Sequence, residues 1–280
     1  YYHSDREELN CHYCGNTFPL PRRCPKCGGY SFGYGAPGTQ KIEQLLQVYF
    51  PQAKLLRLDS DTASKKDMYR YMYDKMKNKE IDILLGTQMI SKGLDFPGVT
   101  LVGVVSADIS LNVPDFRSAE RTFQLLTQVA GRAGRGDNAG RVIIQSYNIN
   151  HYAIRHACKQ DYESFATEEI SYRKRLYYPP YYRLSRVVFM AKDQKSLVLE
   201  MQKVEELAEL LKTKFPLPEL FILGPVAAPN ARVNEIYRYH LIFKAMNPQI
   251  MSEAILYLEG KLRLGSGISH YVDIDPMMLM

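Results

Sequence analysis

The sequence predicts an α/β protein of more than one domain, and three observations carry that reading. From about residue 35 to residue 150, apolar runs of strand length alternate with amphipathic runs of helix length. Four cysteines crowd into residues 11–27 ahead of them, and a second set of strands and helices follows a proline- and tyrosine-rich segment at 177–182. At 280 residues with 46% hydrophobic composition, the chain can bury cores for two domains and a small appendage.

Residues 1–34 are rich in Cys, Pro, Gly and basic residues with little apolar periodicity, as expected of a segment held by metal instead of by a core. From Lys41 to Phe50, Ile42, Leu45, Leu46 and Tyr49 recur at helical spacing until Pro51 stops the run. Residues 54–58 read as a strand, and 67–77 as a helix with Met68, Met72 and Met76 in register, a stripe assigned to core packing. Residues 82–85 and 101–105 are apolar strands, 118–130 a helix and 141–145 a fourth strand. Strands without polar alternation, separated by helices, imply a parallel sheet with helices on both faces across residues 35–150.

Residues 151–184 read as a helical connector that ends in the stiff segment Tyr177-Tyr-Pro-Pro-Tyr-Tyr182, assigned as a packed hinge. Residues 185–280 then offer a strand at 186–191, a helix at 196–214, a strand at 237–244, a helix at 247–262 and a strand at 271–274. That order fits a small α+β domain of ferredoxin-like type.

Charge and cysteine content narrow the function classes. The net charge is +6, with 19 basic against 15 acidic residues up to position 150 and 17 against 15 beyond it. A polyanionic partner is thus permitted, not demanded, because phosphate contacts need local clusters of Lys and Arg. No signal peptide and no apolar run of membrane-spanning length occurs, which predicts a cytoplasmic protein without a membrane partner. The chain opens on Tyr1-Tyr2-His3-Ser4 without a methionine, which reads as a fragment of a longer protein. Cys158 stands apart from the other four and is read as a small core hydrophobe.

Two segments carry chemistry. In Gln128-Val-Ala-Gly-Arg-Ala-Gly-Arg135 a helix breaks into a Gly-Arg-x-Gly-Arg turn, whose glycines let backbone and guanidinium groups approach a phosphate without a Cβ in the way. Arg132 and Arg135 are thereby aimed at one anion. Arginine suits that role because its planar fork binds phosphate oxygens bidentately and keeps its proton. The second segment, Gly86-Thr-Gln-Met-Ile-Ser-Lys-Gly-Leu-Asp-Phe-Pro97, follows a strand directly, and functional loops of open α/β sheets sit at the carboxyl ends of strands. There Thr87 offers a hydroxyl and backbone amides to a nucleic-acid phosphate, Lys92 a charge, and Asp95 a carboxylate suited to a ribose hydroxyl.

With these two segments, the chain resembles the carboxy-terminal half of the PriA family (primosomal replication protein N′) of superfamily 2 DNA helicases. Asp115-Phe-Arg-Ser-Ala-Glu-Arg121, Arg57-Leu-Asp-Ser-Asp-Thr62, Ile222-Leu-Gly-Pro-Val226, Tyr237-Arg-Tyr-His-Leu241 and Val272-Asp-Ile-Asp-Pro276 support the match. The resemblance implies a RecA-like second helicase lobe, ATP-dependent 3′ to 5′ DNA unwinding, recognition of forked and single-stranded DNA, and work with single-stranded DNA-binding protein and other primosome proteins. It implies that Arg132 and Arg135 meet the γ-phosphate with Gln128 nearby, that Gly93 and Asp95 lie close to the nucleotide, and that Thr87 and Lys92 face the DNA. The sequence departs from the family at Ala36-Pro-Gly-Thr-Gln40, where a Gly-x-Gly-Thr-Glu turn is usual. It also contains no Walker A sequence and no Asp-Glu box, so the lobe that holds Mg2+ and most of the ATP is expected elsewhere, and these residues alone are expected not to hydrolyse ATP.

Cys11-x-x-Cys14 and Cys24-x-x-Cys27 supply two thiolate pairs of the kind that grip one tetrahedral Zn2+ at about 2.3 Å, a structural site because four thiolates leave no open position for water. The resemblance implies four such pairs serving two zincs, with the two present here belonging to different ions. Whether they share one zinc or hold none stays open. In the last domain, Arg232, Arg238 and Lys244 with Tyr237 and Tyr239 form a basic and aromatic cluster suited to stacking on single-stranded bases while pairing with phosphates. Two alternatives stand beside the helicase: a catalytically silent module that only binds zinc and nucleic acid, and another superfamily 2 translocase.

Overall fold

The computed structural model describes residues 2–3, 8–10, 17–19, 21–24, 27–30, 38–58, 68–91, 96, 98–133 and 140–279. The chain divides into two compact units, one of residues 32–113 and 117–167, the other of residues 1–31, 114–116 and 168–280. Three short strands open it: β1 (Tyr2–His3), β2 (Glu8–Asn10) and β3 (Thr17–Pro19), paired antiparallel in that order.

In the first unit, helix α1 (Thr39–Tyr49) leads to strand β4 (Leu55–Leu58), helix α2 (Met68–Lys77) and strand β5 (Ile83–Gly86). Of the apolar stripe expected on α1, Ile42 and Leu46 are half-buried while Leu45 and Tyr49 are exposed. Glu43 beside them pairs with Arg57 at 3.1 Å. The methionine stripe of α2 is core, as its spacing predicts, with Met72 fully buried and Met68 and Met76 partly so. Strand β6 (Leu101–Val104), the short helix α3 (Asp108–Leu111), helix α4 (Ser118–Ala130) and strand β7 (Arg141–Ile144) follow.

The expected strands are parallel, but among the described residues they hydrogen-bond as two pairs, β4 with β5 and β6 with β7, and not as one sheet. Coverage on both faces is also incomplete. Leu101 of β6 and Ile143 of β7 are more than half exposed, and burial alternates along both strands. Apolar composition without polar alternation was the signal for two-faced burial, and it does not distinguish a strand that leaves one face open.

Residues 151–184, expected as a helical connector, form helices α5 (Tyr152–Lys159) and α6 (Tyr162–Arg175), separated at Gln160 by a left-handed residue. Their first half contributes Ala153, Ile154, Ala157 and Phe165 to a core with Ala107, Ala119, Phe123 and Leu126. Phe123 stacks on Phe165 at 4.1 Å between ring centroids. Cys158, read as a core residue, is exposed: α5 turns its Ala153, Ile154 and Ala157 inward, and the next position rotates out.

The second unit holds strand β8 (Arg183–Ala191), helix α7 (Gln194–Lys214), strands β9 (Leu220–Val233) and β10 (Ile236–Ala245), helix α8 (Pro248–Lys261) and strand β11 (Ile268–Ile274). Its sheet runs β11-β8-β10-β9 with every neighbouring pair antiparallel, so β8 and β9 are parallel strands split by β10. Asp193 caps α7 by accepting the Ser196 N–H at 2.8 Å, and Asn247 caps α8 by accepting the Gln249 N–H at 2.8 Å, with Pro248 at the first helical position. Both helices cover one sheet face, burying Val187, Phe189, Leu241 and Phe243 against Leu197, Val204, Met251 and Leu258.

Strand β9 has no counterpart in the sequence reading because Gly224, Pro225 and Pro229 interrupt its pattern. It lies at the sheet edge, where a missing N–H costs no ladder bond, and its register with β10 shifts. Gly224 sits at φ +95°, with an ideal Cβ 2.7 Å from the His240 carbonyl, so only glycine fits that irregularity.

Candidate functional site

The first half of the site is built where β5 ends. Gly86 pairs with Leu58 of β4, and a Cβ on it would lie 2.4 Å from the Leu58 carbonyl and 2.8 Å from the Ile90 side chain. Glycine therefore lets the strand pair close and the next turn fold back on it. That turn spans Gln88–Ser91, and the Thr87 carbonyl accepts the Ile90 N–H at 3.2 Å. Thr87 is exposed at the carboxyl end of a parallel strand, the position expected for a ligand-facing loop. Lys92, Gly93 and Asp95 lie outside the described residues.

The second half is delivered by α4. Ala119, Thr122, Phe123 and Leu126 form its buried face, and the Thr122 hydroxyl donates to the Ser118 carbonyl at 2.7 Å. The helix ends as Gly131 N–H donates to Thr127 O at 3.1 Å and Arg132 N–H to Val129 O at 3.0 Å. Gln128 is exposed, Arg132 is half-buried, and Arg135 lies outside the described residues. Arg132 sits just past the helix carboxyl end, where the aligned peptide dipoles favour a cation. Gly131 has φ −69°, and a Cβ there would find nothing closer than 3.6 Å within the chain, so its fold does not itself require glycine. Its backbone is one that any residue adopts.

Helix α4 packs against the 88–91 turn. Two segments distant in sequence, the turn after Thr87 and the helix that carries Gln128, are thus in contact.

A buried carboxylate steadies the same unit. Asp108 accepts from the Ser146 hydroxyl at 2.8 Å, the Tyr147 N–H at 2.9 Å and the Asn148 N–H at 3.2 Å. Burial by itself would raise this carboxyl, but the donors from Tyr147, Ser146 and Asn148 outweigh it and hold it below the usual carboxylate range. Sequence reasoning missed Asp108, because its partners come 38 to 40 residues later.

Residues 36–137 match the family described as Helicase conserved C-terminal domain, and residues 174–277 match Primosomal protein N C-terminal domain. The chain is 41% identical to Replication restart protein PriA of Bacillus subtilis over 282 residues, taking in 100% of this chain and 34% of that protein. To the protein of the same name from Borreliella burgdorferi it is 36% identical over 279 residues, covering 100% of this chain and 41% of that one. For Thermotoga maritima the identity is 37% over 278 residues, covering 99% and 36%. This chain belongs to the PriA family. It spans between about a third and two fifths of the length of these relatives.

The basic and aromatic cluster expected in the carboxy-terminal unit of this PriA-family chain is divided by strand alternation. Tyr237 and Tyr239 point to the helix-covered face and pack against its core, so Arg238 between them points to the other. Arg232, paired in register with Tyr237, lies over that ring at 5.2 Å and is 4.0 Å from Glu235. Lys244 is not part of the group: it is buried at the far end of β10, donates to the Leu176 carbonyl at 3.2 Å and sits 3.6 Å from the Tyr178 ring centroid. Arg232 and Tyr237 therefore remain together, while Arg238 faces away from them and Lys244 serves another purpose.

Of the four expected metal ligands, Cys11 and Cys14 lie outside the described residues. Cys24 and Cys27 bracket a tight turn in which Gly28 N–H donates to Cys24 O and Cys24 N–H to Gly29 O, both at 2.8 Å. Gly28 takes φ +73°, the left-handed conformation such a turn needs. Among the described residues no group of three or more His, Cys, Asp or Glu side chains could hold a metal ion. The donor chemistry of the Cys24–Cys27 turn fits half of a thiolate site. No described helix is long and apolar enough to cross a membrane.

Proposed function

We propose that this chain is the second motor lobe and carboxy-terminal domain of an ATP-dependent DNA helicase that acts in replication restart. The observation that supports the reading is the packing of α4, the helix that leads into the arginine motif, on the 88–91 turn that follows β5. In this reading Arg132 and Arg135 present fixed positive charge to the phosphoryl oxygens of ATP as charge develops on them, with Gln128 near the attacking water. ATP supplies the phosphoryl group and Mg2+ neutralises its oxygens, both held mainly by a first lobe outside these residues. Gly93 and Asp95 contact the nucleotide, and Thr87 and Lys92 hold one DNA strand by its phosphates. Unwinding runs 3′ to 5′ on forked DNA, with single-stranded DNA-binding protein and primosome proteins as partners. The name Replication restart protein PriA on relatives at 36% to 41% identity supports this role.

The carboxy-terminal unit is ferredoxin-like in this reading, which its split strand order supports. Arg232 and Tyr237 offer single-stranded DNA a stacked cation and ring, and Arg238 a phosphate contact from the other sheet face.

The decisive experiment is steady-state ATP hydrolysis on forked DNA by the polypeptide that joins this chain to an ATP-binding lobe. Arg132→Ala and Arg135→Ala are expected to lower kcat by about a thousandfold with little change in the KM for ATP. Wild-type rates would refute the assignment of both arginines.

The cysteine turn is assigned to structural Zn2+, with Cys24 and Cys27 joined by Cys11 and Cys14. Elemental analysis of the purified chain is expected to return zinc in stoichiometric amount, lost in Cys24→Ser. A zinc-free, folded protein would remove the assignment.

A further inference from the structure

The two edges of the carboxy-terminal sheet are built differently. Strand β9, at one edge, carries Gly224, Pro225, Pro229 and Arg232, and its register against β10 shifts. Prolines, irregular register and charges of this kind keep a sheet edge from recruiting another strand. Strand β11, at the opposite edge, lacks them. Its 7 residues, Ile268-Ser-His-Tyr-Val-Asp-Ile274, include no proline, glycine, lysine or arginine, and they pair with β8 in unbroken register from Ile268 with Ala191 to Ile274 with Ser185. Its carboxylate, on Asp273, is committed to Arg186 of β8 at 3.1 Å, and His270 is held by Glu259 of α8 at 2.9 Å. Among the described residues no strand pairs with the outer side of β11.

This edge is also complementary to itself. Ile268 and Val272 pack on the helix-covered core, so alternation puts Ile268, His270, Val272 and Ile274 on that face and Ser269, Tyr271 and Asp273 on the other. When a second β11 runs antiparallel about a two-fold axis through Tyr271, every residue meets a counterpart on its own face. Ile268 meets Ile274 at both ends, His270 meets Val272, the Ser269 hydroxyl can donate to the Asp273 carboxylate, and Tyr271 meets Tyr271. No like charges stand opposite. Moving the axis along the strand leaves the end of each β11 without a counterpart. Exposure follows the same plan, with Tyr271 41% and Ile274 62% exposed. Leu256 of α8, 70% exposed, adds apolar surface beside them. Tyr257 turns toward Lys214 of α7 at 5.1 Å and Glu259 toward β11, which places Leu256, a helical turn before Glu259, on the β11 flank of α8.

We propose that β11 is a self-association edge, through which two copies of this chain join antiparallel about Tyr271. The 4-stranded sheet of each copy then continues into the other. Main-chain hydrogen bonds between the two edges hold the pair, and the side-chain counterparts fix its register. The contact uses the same surface on both copies, so it closes on itself. The blunted β9 edges are left at the two ends of the joined sheet, and association stops at a dimer.

Sedimentation equilibrium of the 280-residue chain over a concentration series is expected to give the mass of a dimer, and Tyr271→Lys the mass of one chain with an unchanged urea midpoint. The substitution sets two ammonium groups face to face at the axis, where like charges repel, whereas a lysine on the exposed edge of a single copy is harmless. Cross-linking reads the register. A short bis-maleimide is expected to join two copies of Tyr271→Cys through the introduced thiols. It is not expected to join Ser269→Cys, whose thiols stand about 14 Å apart along the paired strands. The wild-type chain treated alike corrects for the native cysteines. A single-chain mass for wild type across the series overturns the proposal, as does a dimer that survives Tyr271→Lys. Cross-linking through Ser269→Cys in place of Tyr271→Cys overturns it too. Should Tyr271→Lys not fold, the Tyr271→Cys cross-link decides, and its absence overturns the proposal.

Discussion

Two glycines of the first unit illustrate how differently the same residue type works. Gly86 is required by a backbone oxygen 2.4 Å from where a Cβ would stand, and neither Leu58 nor the strand pair can retreat without breaking the β4–β5 ladder. Gly131 meets no such obstacle and holds an ordinary φ. Gly86→Ala is therefore expected to destabilise the chain by about 1–3 kcal/mol, the usual cost of forcing extra volume into a packed place. Gly131→Ala is expected to stay within about 1 kcal/mol of wild type, or to gain stability through the lower entropy of its unfolded chain. Urea unfolding monitored by circular dichroism checks both. Equal midpoints for the two variants would contradict the steric argument. If Gly131→Ala then impairs ATP hydrolysis in the longer polypeptide, its glycine serves the approach of a phosphate and not the fold.

Elements were legible to the extent that their signals were local. Helix α4 is found within its expected bounds, and β4, β5, β6 and β7 within a residue or so, because apolar runs and breakers lie inside each segment. Strand β9 was missed because its glycine and prolines are tolerated only at a sheet edge, a property of the assembled sheet. The site divides in the same way. Arginines in a Gly-Arg-x-Gly-Arg turn after a helix are readable at once, and so is a loop after an apolar strand. That α4 packs on that loop is tertiary information. The proposed DNA-binding cluster was over-read for a related reason: Arg238 stands between Tyr237 and Tyr239, and a strand sends neighbours to opposite faces. Asp108 left no trace that a local pattern could register, and Asp115 and Phe116 stood out only within the Asp115–Arg121 segment of the resemblance, without their partners, since each finds these far along the chain.

At the scale of the whole molecule, a buried charge leaves a signature in how folding stability depends on pH. Burial pushes the Lys244 ammonium down to about 8 from its ordinary 10.5. Below about pH 8 the residue is protonated in both folded and unfolded chains, so it adds no slope. Between about 8 and 10.5 the unfolded chain binds the proton that the folded chain has released, and stability therefore rises with pH. Above that window the contribution levels off. A shift of this size corresponds to about 3 kcal/mol, of which the face of Tyr178 returns about 1 by attracting the charged form. The effect is isolated by comparison with Lys244→Met, in which every other ionisable group is retained. Denaturant unfolding of the carboxy-terminal unit at pH 7.5, 9 and 10.5, points chosen to span the window, is expected to show wild type gaining about 2–3 kcal/mol on the variant across the series. A difference independent of pH would mean that Lys244 binds its proton equally well in the folded and unfolded chains, and that its burial carries no electrostatic cost.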